Sequence, residues 1–361
     1  MSQEVRFGVV GLGMGMNRSN QVVDTDGAKL VAVADLDENK CKVAEEKFSC
    51  DSHTDALEMF DRNDIDVAFI MLPSGLHAKL GVEAANRGKH VITTKPMDVN
   101  LKNCDTLIQA CEQNQVQLLV DFQERYGNKN REIQYAVQNG LLGEVIHCEL
   151  RMKWYRPDSY YVGWHGTWEF DGGGSIMNQG VHYVDLMLWF MGGVKRVIGA
   201  HYDVFAHENC ETEDLATAIL EFNNGAIGTV YTTTTFPKEA EAVSMINIHG
   251  DKGVVGLGPN VWTFADGEPD ISLSDHPVNV VDDAVRAIRE GRMPAVSGQE
   301  GRRSVELNMA IYESARMHEV VKLPLRTYCS PLELMIESGD LPVERPGRYD
   351  IRSFLLHGEE L

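Results

Sequence analysis

Five short apolar runs within the first 122 residues, each followed by a polar stretch of helical length, constrain this chain more than any other feature. Val5–Val10 is the first, and runs at 29–34, 67–72, 90–93 and 116–120 follow. Helical patterns begin near residues 17, 37, 76 and 101. Alternation of this length predicts a doubly wound parallel sheet with helices on both faces. In such sheets ligands bind beyond the carboxyl ends of the strands.

Those ends carry informative residues. Gly11-Leu12-Gly13-Met14-Gly15-Met16 follows the first strand directly. Gly11 permits a tight turn, Gly13 lets the backbone approach a pyrophosphate, and the next helix offers unpaired N–H groups. Met16 stands where a third glycine or alanine would complete the fingerprint. The second strand ends in Asp35, roughly 20 residues beyond Gly13. A carboxylate there accepts hydrogen bonds from ribose hydroxyls and repels a 2′-phosphate, which favours NAD over NADP. Capping of the helix that starts near Asp37 is a compatible role for Asp35. Pro73-Ser74, Lys95-Pro96 and Gln123 occupy the remaining strand ends. A loop lysine is ordinarily solvated. Lys95, with its backbone restricted by Pro96, could instead hydrogen-bond a substrate hydroxyl and stabilise a developing alkoxide.

After a helix at 129–139 the pattern changes. Ile146, Cys148, Leu150, Met152 and Trp154 alternate with His147, Glu149, Arg151 and Lys153, as in a strand with one covered face. Further strands are expected at 196–205, 214–222, 226–235 and 243–249, with a tight turn at Asn224-Gly225. Helices at 280–291 and 302–317 are expected to complete this half. The reading is therefore an α/β chain. Residues 1–122 form a nucleotide-binding domain, and 123–323 an α+β domain with a large, mostly antiparallel open sheet. Residues 324–361, with prolines at 324, 331, 342 and 346, read as an irregular extension. The threonine run 232–235 and the open sheet suggest packing against a second subunit, as a homodimer or homotetramer.

Residues 172–185, GGGSIMNQGVHYVD, read as a loop followed by a mostly buried helix. Asn178, His182 and Asp185 fall at i, i+4 and i+7, on one helical face. Such a polar stripe is satisfied either by protein partners or by a ligand. Before it lies a long loop, 155–175, with Tyr155, Arg156, Tyr160, Tyr161, Trp164, His165, Trp168, Glu169 and Phe170. This set suits a sugar ring, or equally a lid or subunit contact. Arg156 could meet a phosphate or carboxylate. The spacing of His165, Glu169, His182 and Asp185 matches no metal-ligand motif, and no metal is expected.

The formal net charge of −21 argues against nucleic acid or an anionic membrane as a main partner. Seven dispersed cysteines suggest free thiols in a reducing compartment. With no signal-peptide core before the first strand, a cytoplasmic location is expected.

Taken together, GLGMG, AVADLD, LPSGLH, TKP, GGG with its downstream G-x-H-x-x-D, and SGQEGRRSVELNMAIYESA resemble the glucose–fructose oxidoreductase / inositol dehydrogenase / rhizopine-catabolism (Gfo/Idh/MocA) family. The resemblance covers nearly all of residues 4–323. It implies a Rossmann domain, an open-sheet domain, a tightly held nicotinamide cofactor and a Lys–His pair acting on a sugar or cyclitol hydroxyl. Lys95 corresponds to the family lysine and His182 to the family histidine, here a general base, with Asp185 orienting the imidazole or serving as a structural partner. The implied cofactor site comprises Gly11, Gly13, Met14, Gly15, Asp35, Leu72, Pro73, His77, Lys95, Pro96 and Gln123. The implied substrate site comprises Lys95, Tyr155, Arg156, Trp168, Asn178, Gln179 and His182. Two departures stand out: Thr94 replaces a common glutamate, and Asn178 replaces a common aspartate. MNQGVHYVD and the loop before it resemble the branch that oxidises a ring hydroxyl at C3 of nucleotide-linked amino-sugar acids. The same fold would also serve an NAD-dependent, redox-neutral glycosidase, a non-catalytic dinucleotide-binding regulator, or a reductase running the chemistry backwards.

Overall fold

The computed structural model describes residues 4–258, 261–326 and 328–339. Its first half contains β1 (Val5–Val10), α1 (Gly15–Val23), β2 (Ala28–Ala34), α2 (Glu38–Phe48), β3 (Asp51–His53), α3 (Ala56–Phe60), β4 (Val67–Ile70), α4 (His77–Asn86), β5 (His90–Thr94), α5 (Leu101–Gln113) and β6 (Leu118–Asp121). The six strands pair in parallel in the order β3-β2-β1-β4-β5-β6. The expected doubly wound sheet is present, with the order reversing between β1 and β4. The three-residue β3 and five-residue α3 are additions, too short to show a period. The last strand begins at Leu118, two residues later than expected. Side-chain caps fix several helix starts: Asp37 Oδ1 accepts from Asn39 N at 2.9 Å, and Asn100 Oδ1 from Asn103 N at 2.9 Å.

The second half contains α6 (Asn128–Gln138), β7 (Val145–Lys153), α7 (Val181–Met191), β8 (Val194–Asp203), β9 (Leu215–Phe222), β10 (Ile227–Thr233), β11 (Val243–Gly250), β12 (Gly253–Gly256), β13 (Trp262–Phe264), α8 (Val280–Glu290), α9 (Gly298–Met317), β14 (Val321–Lys322) and α10 (Pro331–Ser338). Eight strands form one sheet in the order β13-β12-β11-β7-β10-β9-β8-β14. Only β7 and β10 pair in parallel; the other neighbours are antiparallel. Helices α6, α7 and α9 bury Cys148, Leu150, Ala218, Val230, Ile246 and Ile248 of one face. The opposite face keeps Glu149, Arg151, Ile219, Thr229 and Tyr231 partly or fully accessible. Period-two alternation within each strand produces that division.

Helix α9 lies between the two sheets. Its Val305 and Met309 belong to the core of the parallel half, and Leu307, Ala310, Ile311 and Tyr312 to the core of the antiparallel half. An apolar surface on two sides is what burial between two layers requires. Close approach to β6 rests on two glycines: a Cβ at Gly298 would lie 2.4 Å from Leu118, and one at Gly301 2.5 Å from Val120.

Three expectations are corrected. Helix α8 does not complete the antiparallel half: Val280, Val281, Ala284 and Val285 are buried in the core of the parallel one. The stretch after 324 is not wholly irregular, because Ser330 caps α10 with Pro331 at its first position, and Leu332 and Met335 are buried. Residues 340–361 of that expected extension lie outside the described residues. Finally, 175–185 is not one continuous α-helix. Ser175–Gln179 forms a π turn and the α-helix begins at Val181, so Asn178 leaves the regular face of His182. All seven cysteines are free, six of them buried. Among the described residues, no helix is long and apolar enough to cross a membrane.

Candidate functional site

A cavity of about 1200 Å³ opens over the carboxyl ends of the parallel strands and runs beneath the loop that follows β7. Gly11 turns the chain off β1 with φ +86°, where a Cβ would lie 2.5 Å from the Met71 carbonyl oxygen. A Cβ at Gly13 would meet nothing within 4 Å, so the backbone there is open to close approach. These are the two properties a pyrophosphate needs of this turn, and α1 begins immediately beyond it. At the end of β2, Asp35 accepts from Leu12 N (2.6 Å) and Asp37 N (2.9 Å), with Lys40 Nζ at 3.7 Å. Its carboxylate thus braces the glycine turn while lining the cavity. The acceptor carboxylate of Asp35 and the open turn at a helix start fit a dinucleotide.

The other strand ends supply Leu72, Pro73, Lys95, Asp121 and Gln123. Lys95 Nζ donates to the Asn178 carbonyl oxygen at 2.8 Å, which ties the parallel sheet to the π turn. Arg18, from α1, donates to Asp121 at 2.6 Å and to Gln123 Oε1 at 2.8 Å. Opposite lie Arg156, Tyr160, Trp164, His165, Asn178, Gln179 and His182. Tyr160 and His165 stack at 4.1 Å between ring centroids, and the Arg156 guanidinium rests 5.1 Å from the Trp154 ring and 5.2 Å from that of Tyr160. Gln179 donates to Tyr160 Oη at 2.9 Å, and its Oε1 is buried without a partner.

The π turn is held from behind. Glu213 accepts from Gly174 N (2.8 Å), Ile176 N (3.0 Å) and Tyr312 Oη (3.0 Å). A Cβ at Gly174 would lie 1.7 Å from the Glu213 carbonyl oxygen, so only glycine fits there. Burial pushes the Glu213 carboxyl up to about 7, against the pull of these donors.

Electrostatics single out two groups. Burial, then the positive charges of Lys95 and Arg18, hold His182 well below the ordinary histidine value, so its imidazole is neutral. Its Nδ1 is buried with no hydrogen-bond partner, which leaves Nε2 as the nitrogen available to a bound molecule. Burial brings Lys95 down to about 8, while Asp171 and Asp121 act to keep its proton.

Of the residues expected here, Gly11, Gly13, Met14, Asp35, Leu72, Pro73, Lys95, Gln123, Arg156, Asn178, Gln179 and His182 line this one cavity. Six do not. A Cβ at Gly15 would lie 3.2 Å from Val9, so this glycine packs α1 against β1. His77 is fully buried, its Nδ1 2.9 Å from the Pro96 carbonyl oxygen and its Nε2 2.8 Å from that of Leu72; with Pro96 it clamps two cavity loops from behind. Tyr155 is exposed, and Trp168 packs against the core of the antiparallel half. Asp185 makes no hydrogen bond to His182; both of its oxygens accept from Arg125, at 2.6 and 2.7 Å, which is the structural-partner role. Sequence reasoning missed Arg18 and Asp171. Asp121, at a strand end, carried the positional signal that could have found its ion-pair partner.

A family model described as an oxidoreductase family with an NAD-binding Rossmann fold matches residues 5–122, and one for the GFO/IDH/MocA C-terminal domain matches 130–256. The fold superposes on the WlbA dehydrogenase from Bordetella pertussis, solved in complex with NADH and UDP-GlcNAcA. The TM-score is 0.81 and the identity 30%, over 90% of this chain and 99% of that one. The myo-inositol 2-dehydrogenase of Thermotoga maritima is 24% identical over 339 residues, 88% of this chain and 98% of that protein. The D-apiose dehydrogenase of Rhizobium rhizogenes is 23% identical over 335 residues, 86% of this chain and 95% of that protein.

Proposed function

The chain belongs to the GFO/IDH/MocA family of oxidoreductases, and from that premise we propose that it oxidises a ring hydroxyl of a sugar, sugar acid or nucleotide sugar, with NAD as hydride acceptor. The observation that carries this reading is the meeting of Lys95 and His182 in the cavity that also holds the glycine turn and Asp35. A bound dinucleotide supplies the hydride acceptor at its nicotinamide. The Lys95 ammonium donates to the substrate oxygen and lowers the cost of its ionisation. His182, neutral in the resting site, takes the hydroxyl proton on Nε2. Asn178 and Gln179 align the neighbouring hydroxyls. Arg156, stacked between Trp154 and Tyr160, meets an anionic substituent such as a uronic carboxylate or a phosphate. The complex of the B. pertussis relative with UDP-GlcNAcA supports placing nucleotide-linked sugar acids first among the substrates to try. The accessible face of the large sheet is the surface through which a homodimer or homotetramer would form.

Native mass spectrometry for co-purified nucleotide, followed by a thermal-shift screen of sugars, sugar acids and nucleotide sugars, would test the reading. The decisive result is net NADH formation with an intact ketone product. Release of a free sugar with no net NADH would instead indicate redox-neutral glycoside cleavage.

Two expected results follow from the charges. Lys95 acts as its ammonium, so kcat/KM for oxidation should fall as pH rises through about 8, while His182 stays neutral on both sides of that limb. A pH profile of the wild type beside Lys95→Met, whose residual activity should lack the limb, checks this. Asp35→Ser removes the carboxylate that repels a 2′-phosphate. The preference for NAD over NADP, read as a ratio of kcat/KM values, should drop by about tenfold or more.

A further inference from the structure

Asp171, in the loop before the glycine run, has its carboxylate at 1% exposure, and three groups converge on it. Gly166 N donates to Oδ2 at 2.8 Å. Asn178 Nδ2 lies 2.6 Å from Oδ1 and 2.7 Å from Oδ2. His165 Nδ1 stands 3.7 Å from Oδ2 and 3.1 Å from Asn178 Nδ2. A side-chain amide nitrogen carries two hydrogens. One hydrogen is shared between the two oxygens of the carboxylate and the other has His165 Nδ1 within reach at 3.1 Å, so the Asn178 amide nitrogen is engaged by protein groups. What it can offer there is Oδ1, an acceptor. Its main-chain carbonyl meanwhile takes the Lys95 proton donor at 2.8 Å. One residue therefore links the Asp171 carboxylate to the lysine. Of the fixed charges around Lys95, that of Asp171 does most to keep it protonated against burial.

We propose that Asp171 is a positioning residue of this reaction: its carboxylate fixes the Asn178 amide with Oδ1 toward a substrate hydroxyl and supplies the negative charge beside the Lys95–Asn178 contact. The inference rests on the sugar-oxidation reading for its kinetic part and stands without it for its electrostatic part.

The test uses the full chain and two variants, Asp171→Asn and the exchange Asp171→Asn/Asn178→Asp, which keeps one carboxylate against one amide. The first readout needs no substrate. Labelling by trinitrobenzenesulfonate, followed at the Lys95 peptide by mass spectrometry across pH, gives the midpoint of lysine reactivity. Asp171→Asn should move that midpoint down by about one pH unit, and the exchange should bring it back toward the wild-type value. The second readout is turnover of the sugar found in the screen. Asp171→Asn should lower kcat about tenfold with little change in NADH affinity, and the exchange should recover part of the loss. An unmoved midpoint overturns the proposal, and so does a kcat within twofold of wild type. If Asp171→Asn does not fold, the exchange variant decides: a wild-type-like midpoint supports the proposal and a lowered one overturns it. If the wild type oxidises no sugar, the function falls, and the labelling midpoint still decides the role of Asp171.

Discussion

His182→Ala is expected to cut turnover by about 10²–10⁴-fold while NADH continues to bind. The loss corresponds to roughly 3–5 kcal/mol of transition-state stabilisation. The geometry separates this effect from a folding defect. His182 Nδ1 has no hydrogen-bond partner, so the substitution strands no buried group of another residue. The dinucleotide contacts proposed above come from Gly11, Gly13 and Asp35, on the parallel sheet. Fluorescence titration with NADH should therefore give an affinity close to wild type, and thermal melting should change little. Turnover within tenfold of wild type would remove His182 from the chemistry and leave Lys95 as the group to examine for proton transfer.

Arg125→Met is expected to destabilise the fold by about 3–5 kcal/mol, measured by chemical denaturation. Arg125 and Asp185 are 3% and 1% exposed, in bidentate contact, and a second carboxylate, Glu300, lies 2.8 Å from Arg125. Burial works against the arginine's charge, but Asp185 and Glu300 hold its pKa above the ordinary value. Removing the cation leaves Asp185 buried without its ion-pair partner. Arg125→Met/Asp185→Leu, which removes both charges, should regain much of the lost stability, because a buried pair replaced by apolar groups is often near neutral. The same variants separate two roles for Asp185. If it serves only this ion pair, the double variant turns over substrate within a few-fold of wild type once folded. If it acts on His182, stability returns and turnover does not.

What the sequence revealed was what local chemistry dictates. The glycine turn, Asp35, Lys95 and Gln123 sit where strands end, and parallel pairing brings strand ends together whatever the side chains elsewhere do. Hence their convergence was legible in advance. His182 was read from a helical polar stripe and its pairing with Lys95 from motif resemblance, and the two lie in one cavity. Direction was harder than position. Gly15 and His77 belong to the right segments but face the packing side, and nothing in a motif says which way a side chain turns. Asp185 is one helical turn from His182, yet Arg125, 60 residues earlier, claims both its oxygens. The π turn was invisible because the stretch keeps its apolar periodicity while the backbone inserts a residue. Asp171 became informative only once the loop was folded against Asn178.

The placement of α9 between the two cores bears on how this protein could be cut or recombined. A fragment ending near residue 122 would include all six parallel strands but lack Val280, Val281, Ala284, Val285, Val305 and Met309, which fill its interior from far along the chain. Such a fragment would expose a greasy trough and be expected to aggregate, even though its cut falls at an apparent motif boundary. The dinucleotide-binding half is thus a discontinuous unit. Grafting it onto another scaffold would require transplanting the late helices as well, and any chimera with a relative should draw its crossover points around that shared beam.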